Sequence, residues 1–289
     1  MFETSINKSI FVTGATGNQG GAVAKNLLLN GFKIKCLTRN PNADRAQKLK
    51  NLDAEIILGD LNKPGTFEKH LENVDGVFSV QTFENGVKKE IEQGITLANI
   101  SKEAGVRHFL YSSIGGADFH TGIPHFESKL IIEEHIKKIG LPYTIIRPVG
   151  LYENFLLPQV KSRLLKGKLM SPLHKRAIQQ YVASDDIGKL AVKIFLDPVK
   201  YLNSTITVAS EELDLDQTAA IFSKALNMEI KYQHLPWLIT RLAMGKELYK
   251  MFRWINTNNA VFMKELNNYK MQNPSMQNLE QWIQLNFKK

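Results

Sequence analysis

The stretch Ile10–Gly20 reads IFVTGATGNQG. A short apolar run leads to Gly14, Gly17 and Gly20, and the helix-forming segment AVAKNLLLN follows them. This spacing predicts a strand, a tight turn and a helix. The glycines allow the sharp turn, the approach of a pyrophosphate to the backbone, and close packing of the helix on the strand. The sequence therefore predicts a dinucleotide-binding loop, with the anion at the helix N-terminus.

Strand-like and helical stretches alternate from this loop as far as Val149. The strand-like runs are FKIKCLTRN, AEIILGD, VDGVFSV, VRHFLYSS and YTIIRPV. Mostly apolar strands separated by helices are typical of a parallel sheet with helices on both faces. We therefore predict an α/β fold with a doubly wound parallel sheet of strand order 3-2-1-4-5-6. Ligands of such sheets bind at the carboxyl ends of the strands, near the point where the strand order reverses.

The rhythm of the sequence changes after Arg147, which predicts two domains. We expect residues 1–150 to form the cofactor-binding domain and residues 151–289 to form a smaller, mostly helical domain for a substrate or partner. Some segments within about residues 177–208 are expected to return to the large sheet. Helical stretches are predicted near Pro64–Leu71 and over Asn154–Lys166.

Composition limits the functional classes. The 289 residues carry 37 basic and 28 acidic side chains, which gives a net charge of +9, but the charges are spread along the chain. No aromatic residues interleave with the most basic stretch, so we expect no direct nucleic-acid binding. No apolar run reaches the ~18 residues of a membrane span, and no signal pattern is present. With a single cysteine, Cys36, and no metal-ligand spacing, the sequence predicts a cytoplasmic protein without a metal site.

The end of the second predicted strand indicates which dinucleotide is bound. An NAD enzyme places an acidic residue there, on the ribose 2′-hydroxyl, whereas this chain has Thr38 and Arg39. A guanidinium can hydrogen-bond the extra phosphate of NADP, so the sequence favours NADP(H) over NAD. Asp60 and Leu61 end the third strand and are expected to border the adenine. The Asp60 side chain either contacts that region or caps the following helix.

Further polar residues lie where the nicotinamide is expected. Gln81 and Thr82 end the fourth predicted strand, and Ser112 ends the fifth. The next helix begins near His125, and Lys129 follows it at i+4, so the two side chains project from one helix face. A lysine there either points to solvent or holds the nicotinamide ribose and lowers the pKa of a neighbouring acid.

These segments together resemble the NmrA-like branch of the short-chain dehydrogenase/reductase superfamily. The resemblance covers almost the whole chain and rests on TGATGNQGG, LTRNP, the turn at Asp60, HFESK, IIRPVGLYENF and QYVASDDIGKLA, in the usual order of that branch. It implies a Rossmann domain, a small C-terminal domain and a preference for NADP(H). The expected cofactor-binding residues are Gly14, Thr16, Gly17, Asn18, Gln19, Gly20, Arg39, Asp60, Leu61, Gln81, Thr82, Ser112 and Lys129.

The resemblance also implies which residues carry the chemistry. Active reductases of the superfamily use Tyr-x-x-x-Lys, in which the tyrosine protonates a carbonyl while the lysine lowers its pKa. In this chain His125 occupies the tyrosine position and Lys129 the lysine position. The substrate-orienting serine or threonine falls by register on Ile114, with Ser113 adjacent. Lys129 and His125 are therefore the predicted catalytic residues, with His125 as the candidate proton donor.

Two functions are compatible with these residues. The first is an NADPH-dependent reductase of quinones or similar small conjugated carbonyls, which ask little of a general acid because the first-formed anion is delocalised. The alternative is a non-catalytic NADP(H) redox sensor that regulates a protein partner, as the resemblance also implies. A homodimer stays open, as do the substrate and the partner.

Overall fold

The structure is a computed structural model, and it describes residues 8–287. The chain divides into two compact units. The first contains the described residues up to Asp118, together with His125–Arg147 and Ser184–Ile206. The second contains Phe119–Pro124, Pro148–Ala183 and the described residues from Thr207 onward.

Strands and helices alternate through the first part of the chain. The strands are β1 (Ser9–Val12), β2 (Lys33–Thr38), β3 (Glu55–Leu58), β4 (Gly76–Ser79), β5 (His108–Ser112), β6 (Tyr143–Pro148), β7 (Gly150–Leu151), β8 (Lys168–Ser171), β9 (Gln179–Val182), β10 (Ser204–Val208), β11 (Glu211–Leu213) and β12 (Lys231–His234). The α-helices are α1 (Asn18–Leu29), α2 (Asp44–Lys50), α3 (Val87–Glu103), α4 (Pro124–Lys138), α5 (Pro158–Leu164), α6 (Ser184–Leu196), α7 (Pro198–Tyr201), α8 (Leu215–Leu226), α9 (Trp237–Asn258), α10 (Leu266–Gln272) and α11 (Leu279–Asn286).

The first unit is built on a seven-stranded sheet. Its order is β10-β6-β5-β4-β1-β2-β3. Among the first six strands of the chain, every neighbouring pair in this sheet is parallel. The predicted order 3-2-1-4-5-6 and the doubly wound fold are therefore confirmed, with β10 added beside β6. Ile10 pairs with Ile34 on one side and Gly76 on the other. The strand order thus reverses at β1, which places the loop after β1 at the switch point where such sheets bind ligands.

One hydrophobic cluster of the first unit is formed where helices α3 and α4 pack against the sheet. Strands β4 and β5 are buried throughout, as both faces of a covered parallel sheet require. Helices α3 and α4 contribute Leu97, Ala98, Ile132 and Ile136 to the same cluster as Phe109. The two helices that follow β4 and β5 are thereby fixed against each other, beside the carboxyl ends of those strands.

The second unit has its own core and two small sheets. Strands β11, β9 and β7 form one sheet, and β12 pairs with β8 in the other. Trp282, Tyr152 and Phe222 are buried in its centre. Helices α8 and α11 each begin with a capping box, at Asp214 and Asn278 respectively, which satisfies N–H groups that the helix leaves unpaired.

Three predicted segments differ in the structure. The segment that returns to the first unit starts at Ser184 rather than at 177, because β9 pairs with β7 and β11. The predicted helix Asn154–Lys166 is broken by Pro158, since the residue before a proline disfavours helix, and Leu157 is extended. Only α5 is α-helical there, after a 3-10 turn. Pro64–Leu71 forms two 3-10 turns rather than a helix.

Within the described residues, no helix is both long enough and apolar enough to cross a membrane.

A tight backbone contact at Gly20 gives the first testable prediction. A Cβ on Gly20 would lie 2.5 Å from the carbonyl oxygen of Thr13, which the backbone cannot relieve without moving α1. We expect Gly20→Ala to lower the free energy of unfolding by about 1–3 kcal/mol, as overpacking does, and to weaken dinucleotide binding. Urea unfolding and calorimetric titration measure the two effects.

The matched control is Gly65→Ala. A Cβ there would meet nothing nearer than the Glu68 carboxylate at 4.0 Å. A Gly20→Ala protein as stable as this control would contradict the close packing of α1 on the backbone of the loop after β1.

Candidate functional site

The glycine loop after β1 is shaped to hold an anion. Gly14 has a φ of 60°, a left-handed conformation that favours glycine, and its carbonyl accepts from the Gly17 amide at 2.8 Å. Helix α1 begins at Asn18 with no side-chain cap and no acidic residue in its first turn. The first amides of the helix therefore face the loop without a competing carboxylate, as an anion site requires.

Side chains tie this loop to neighbouring strands. The Thr13 hydroxyl lies 3.2 Å from the Val80 carbonyl and accepts from the Val80 amide at 3.0 Å, which joins the ends of β1 and β4. Ser112, at the end of β5, donates to the Gln19 side-chain oxygen at 2.6 Å. The structure thus brings together Gln19 and Ser112, two of the predicted cofactor-binding residues. Gly14, Gly17 and Asn18 are exposed.

The end of β2 carries exposed positive charge. Arg39 is exposed directly after β2, and the Thr38 hydroxyl accepts from the Asn40 amide at 3.1 Å. A second arginine, Arg45 of α2, donates to the Thr16 carbonyl at 3.0 Å and lies 3.3 Å from the Asn18 amide oxygen. Sequence analysis missed Arg45, because only the fold brings α2 beside the glycine loop.

Asp60 and Leu61 form the turn after β3. The Asp60 carboxylate accepts from the backbone and side-chain amides of Asn62, both at 2.9 Å, so it closes a local turn and does not cap a helix. Leu61 packs partly buried against the core of the first unit. The adenine contact predicted for these two residues remains a prediction.

Gln81 and Thr82 follow β4 and have different environments. Thr82 is exposed and accepts from the Glu84 amide at 3.3 Å. Gln81 is buried, and its amide donates to the Ser79 hydroxyl at 3.0 Å. Its side-chain oxygen has no hydrogen-bond partner among residues 8–287. An unpaired buried oxygen is costly unless a water or a ligand satisfies it, so the cofactor contact predicted for Gln81 remains a prediction.

Lys129 is buried against this same segment. Its ammonium donates to the Gln81 carbonyl at 2.8 Å and forms an ion pair with Glu90 of α3 at 3.0 Å. It also lies 5.7 Å from the centre of the Tyr111 ring, within cation–π range. Burial lowers the pKa of Lys129, and Glu90 opposes this by favouring the charged form. Of the alternatives for Lys129, a solvent-facing side chain is therefore excluded.

His125 lies one turn before Lys129 and is also buried. Its ring stacks on Phe83 with centroids 4.4 Å apart, and Phe126 contacts it edge-on. Burial, and secondarily the charge of Lys129, lower the pKa of His125 to about 4. The imidazole is therefore neutral at pH 7, and its buried Nδ1 has no hydrogen-bond partner in the described part of the chain. As an imidazolium donor, His125 is disfavoured by this environment.

A second buried acid, Glu133 of α4, accepts a hydrogen bond from the serine that follows β5. The Ser113 hydroxyl donates to Glu133 at 2.5 Å, and Arg147 donates to both carboxylate oxygens, at 2.9 and 2.7 Å. Arg147 also pairs with Asp118 at 2.5 Å. Ser113 is thus engaged in an internal network, which joins the end of β6 to α4.

Glu90 and Glu133 are the main residues that sequence analysis missed. Acids on helices are usually solvated, so the sequence around these two positions does not by itself indicate burial. A signal was nevertheless available in α3, where the buried positions are Glu90, Gly94, Leu97, Ala98 and Ser101. This spacing places Glu90 on the apolar stripe, and an acid there requires a buried partner.

Metal and thiol chemistry find no support in this part of the molecule. Within residues 8–287, no three His, Cys, Asp or Glu side chains are grouped as a metal site. Burial raises the pKa of the Cys36 thiol to about 12, so the thiol is protonated and unreactive at neutral pH.

Comparison with known proteins establishes the family. Residues 6–283 match the NmrA-like family, and the chain belongs to it. An NmrA-like family domain-containing protein of Dictyostelium discoideum is 30% identical over 80% of this chain and 81% of its own length. The resemblance inferred from the sequence motifs is thereby confirmed.

Two solved structures share the fold at low identity. One is an NADPH-dependent quinone oxidoreductase from Escherichia coli complexed with NADPH, with a TM-score of 0.79 and 20% identity, covering 96% of this chain and 100% of that one. The other is NmrA, a negative transcriptional regulator, in complex with NADP, with a TM-score of 0.77 and 19% identity, covering 97% and 95%. The fold is therefore shared by a protein named as an enzyme and one named as a regulator.

The stack of Phe83 on His125 gives a testable prediction. Phe83→Ala uncovers the imidazole, and because its charged form becomes better solvated, the pKa of His125 is expected to rise from about 4 towards the ordinary 6.5. An NMR titration of the His125 ring protons measures this change. Glu84→Ala, an exposed neighbour outside the stack, serves as the control. A pKa that stays near 4 without Phe83 would show that the ring does not desolvate His125.

Proposed function

We propose that this chain is an NADPH-dependent reductase of quinones or similar small conjugated carbonyls. The observation that carries the proposal is the buried ammonium of Lys129, held at the end of β4 beside Gln81. A buried lysine at the carboxyl edge of a doubly wound sheet lies where a bound dinucleotide places its reactive end. A lysine buried here for packing alone would lower the stability of the protein, because moving its charge out of water costs several kcal/mol.

The residues present fit NADP(H). The glycine loop offers free helix amides to a pyrophosphate, and Gly20 leaves no room for a side chain between the loop and α1. Arg39 supplies an exposed guanidinium for the 2′-phosphate, and Arg45 adds a second positive charge at the loop. The unsatisfied oxygen of Gln81 provides an acceptor near the expected nicotinamide. NADP binding by NmrA and NADPH binding by the E. coli quinone oxidoreductase support the same assignment.

The mechanism uses few groups of the chain. NADPH, when bound, supplies the hydride. The Lys129 ammonium donates a hydrogen bond towards the ribose and stabilises negative charge that develops on a nearby substrate oxygen. Glu90 keeps Lys129 in place, and the Phe83–His125 stack provides an apolar, uncharged wall that excludes water.

The chemistry of these groups favours a quinone-like substrate. The tyrosine position holds His125, which is neutral at pH 7, so no strong proton donor occupies that position. A hydride acceptor whose first-formed anion is delocalised over a conjugated ring needs only electrostatic stabilisation and can take its proton later from water. Simple aldehydes and ketones, which need a proton in the transition state, are expected to react far more slowly.

Removing the lysine tests the proposed reductase. Lys129→Met alone would leave the Glu90 carboxylate buried without its cation, which typically costs about 3–5 kcal/mol. The double variant Lys129→Met/Glu90→Gln removes both charges and preserves the fold. We expect its NADPH-dependent quinone reduction to fall by about 100-fold or more, measured by NADPH absorbance.

The control for this experiment is Lys138→Met, an exposed lysine of the same helix, which should reduce quinones at the wild-type rate. Full turnover by the folded double variant would overturn the role of Lys129. Absence of turnover in the wild-type protein, across a panel of quinones and aldehydes, would overturn the reductase itself.

Arg39 provides a separate test of cofactor preference. Arg39→Ser removes the guanidinium proposed to bind the 2′-phosphate, so NADPH affinity should fall by about tenfold or more, whereas NADH, which lacks that phosphate, should bind as before. Calorimetric titration with both cofactors measures the change. Lys50→Ser, an exposed cation at the end of α2, is the control. Equal loss of NADPH and NADH affinity would contradict the assigned contact.

A redox sensor is the second candidate function. The NmrA neighbour, named as a negative transcriptional regulator, has the same fold and was solved with NADP. In this alternative, cofactor occupancy alters the segment after β4 and thereby the affinity for a protein partner. NADPH binding by the wild-type chain without any turnover would favour the sensor. A cytoplasmic location and a homodimer are proposed with either function.

A further inference from the structure

Glu90 is a fully buried carboxylate whose two oxygens are both used by neighbours on one helix. It lies on α3 and is 0% exposed. One oxygen accepts from the Ser128 hydroxyl at 2.5 Å, and the other pairs with the Lys129 ammonium at 3.0 Å. Consecutive residues of α4 therefore fix the orientation of this carboxylate.

Packing alone does not explain an acid at this position. The rest of the buried stripe of α3 consists of small or apolar residues, mainly Gly94, Leu97 and Ala98. Moving a carboxylate out of water costs several kcal/mol, and an apolar side chain of similar volume commonly serves stability as well or better. The presence of Glu90 is better explained by its effect on the Lys129 ammonium.

We infer that Glu90 is a positioning residue that holds the Lys129 ammonium in its charged form and aims it at the ligand. The inference rests on the proposed function, because it gives Lys129 a task at the cofactor. Among residues 8–287, the structure gives the ammonium two acceptors, the Glu90 carboxylate and the Gln81 carbonyl. An ammonium has three N–H groups, so the third is available to a ribose hydroxyl or a substrate oxygen.

The other charged and titratable groups around Lys129 do not replace Glu90. Glu133, on the same helix, also favours the charged form of Lys129, but less than Glu90 does, and its carboxylate is held in a bidentate contact with Arg147. His125 is neutral at pH 7, because burial lowers its pKa to about 4. Tyr111, whose ring faces the ammonium, stays protonated because burial and the two carboxylates raise its pKa. Glu90 is therefore the main group that offsets the burial of the lysine charge.

The test is an NMR titration of Lys129 in the full-length protein, with lysine labelled at the ε-carbon. The Lys129 signal is assigned by its loss in Lys129→Arg. In Glu90→Gln, which keeps the shape of the side chain, the titration midpoint of Lys129 should fall by about one pH unit or more, equivalent to about tenfold in proton affinity. Glu92→Gln removes an exposed acid from the same helix and should leave the midpoint unchanged.

A second variant separates charge from shape. Glu90→Asp retains the negative charge, so its Lys129 midpoint should lie nearer to wild type than that of Glu90→Gln. An unchanged midpoint in folded Glu90→Gln would overturn the inference. Equal midpoints in the Asp and Gln variants would overturn it as well, because the effect would then not follow the charge.

The titration is independent of turnover, so the two proposals can fail separately. A midpoint that falls in Glu90→Gln, in a protein that reduces no substrate, supports the positioning role and overturns the reductase. Where the wild-type protein is active, the inference further predicts that the alkaline limb of its pH–rate profile moves to lower pH in Glu90→Gln, because a deprotonated Lys129 no longer stabilises negative charge.

Discussion

The buried ion pair between Lys129 and Glu90 is the interaction on which the site depends. It connects α3, α4 and the segment after β4, which are the elements that follow two neighbouring strands of the sheet. Either charge alone would destabilise the protein by several kcal/mol in this environment. The pair therefore fixes the lysine and constrains which substitutions the site can accept.

The electrostatics of the site follow from this pairing. Glu90 balances Lys129, Arg147 balances Glu133, and His125 is neutral. The region beside Gln81 consequently carries little net charge, yet it keeps a directional donor in the ammonium and an unsatisfied acceptor in the Gln81 side chain. Such a site stabilises a developing negative charge better than it transfers a proton. This balance distinguishes a quinone-type hydride acceptor from a simple ketone as the proposed substrate.

Local sequence patterns predict the strands and helices better than they predict which strands pair with one another. The strand, turn and helix around Gly14 and Gly20 are encoded within a dozen residues, so the dinucleotide fold follows from the sequence. The pairing of β9 with β7 and β11 depends on residues distant in sequence, and it was missed. Pro158 is a local signal that a helix cannot run through this point, and it explains why the α-helix within the predicted segment Asn154–Lys166 begins only at Pro158.

The residues of the site likewise divide into those that local sequence patterns predict and those that only the fold brings together. Lys129 was predicted because its spacing from His125 and the family resemblance both point to it. Glu90 and Arg45 were missed because their roles arise only when α3 and α2 are placed beside other elements. A charged residue on a helix is ordinarily solvated, so its burial becomes visible only when the whole apolar stripe of the helix is considered.

Hydrogen–deuterium exchange with and without NADPH would show whether a dinucleotide lies over the glycine loop with its reactive end beside Lys129. We expect slower amide exchange in residues 14–20, in residues 80–83 and at the start of α4 when NADPH is added, with little change around β8 and β12. Unchanged exchange in the glycine loop and in the segment after β4 would contradict this placement of the cofactor.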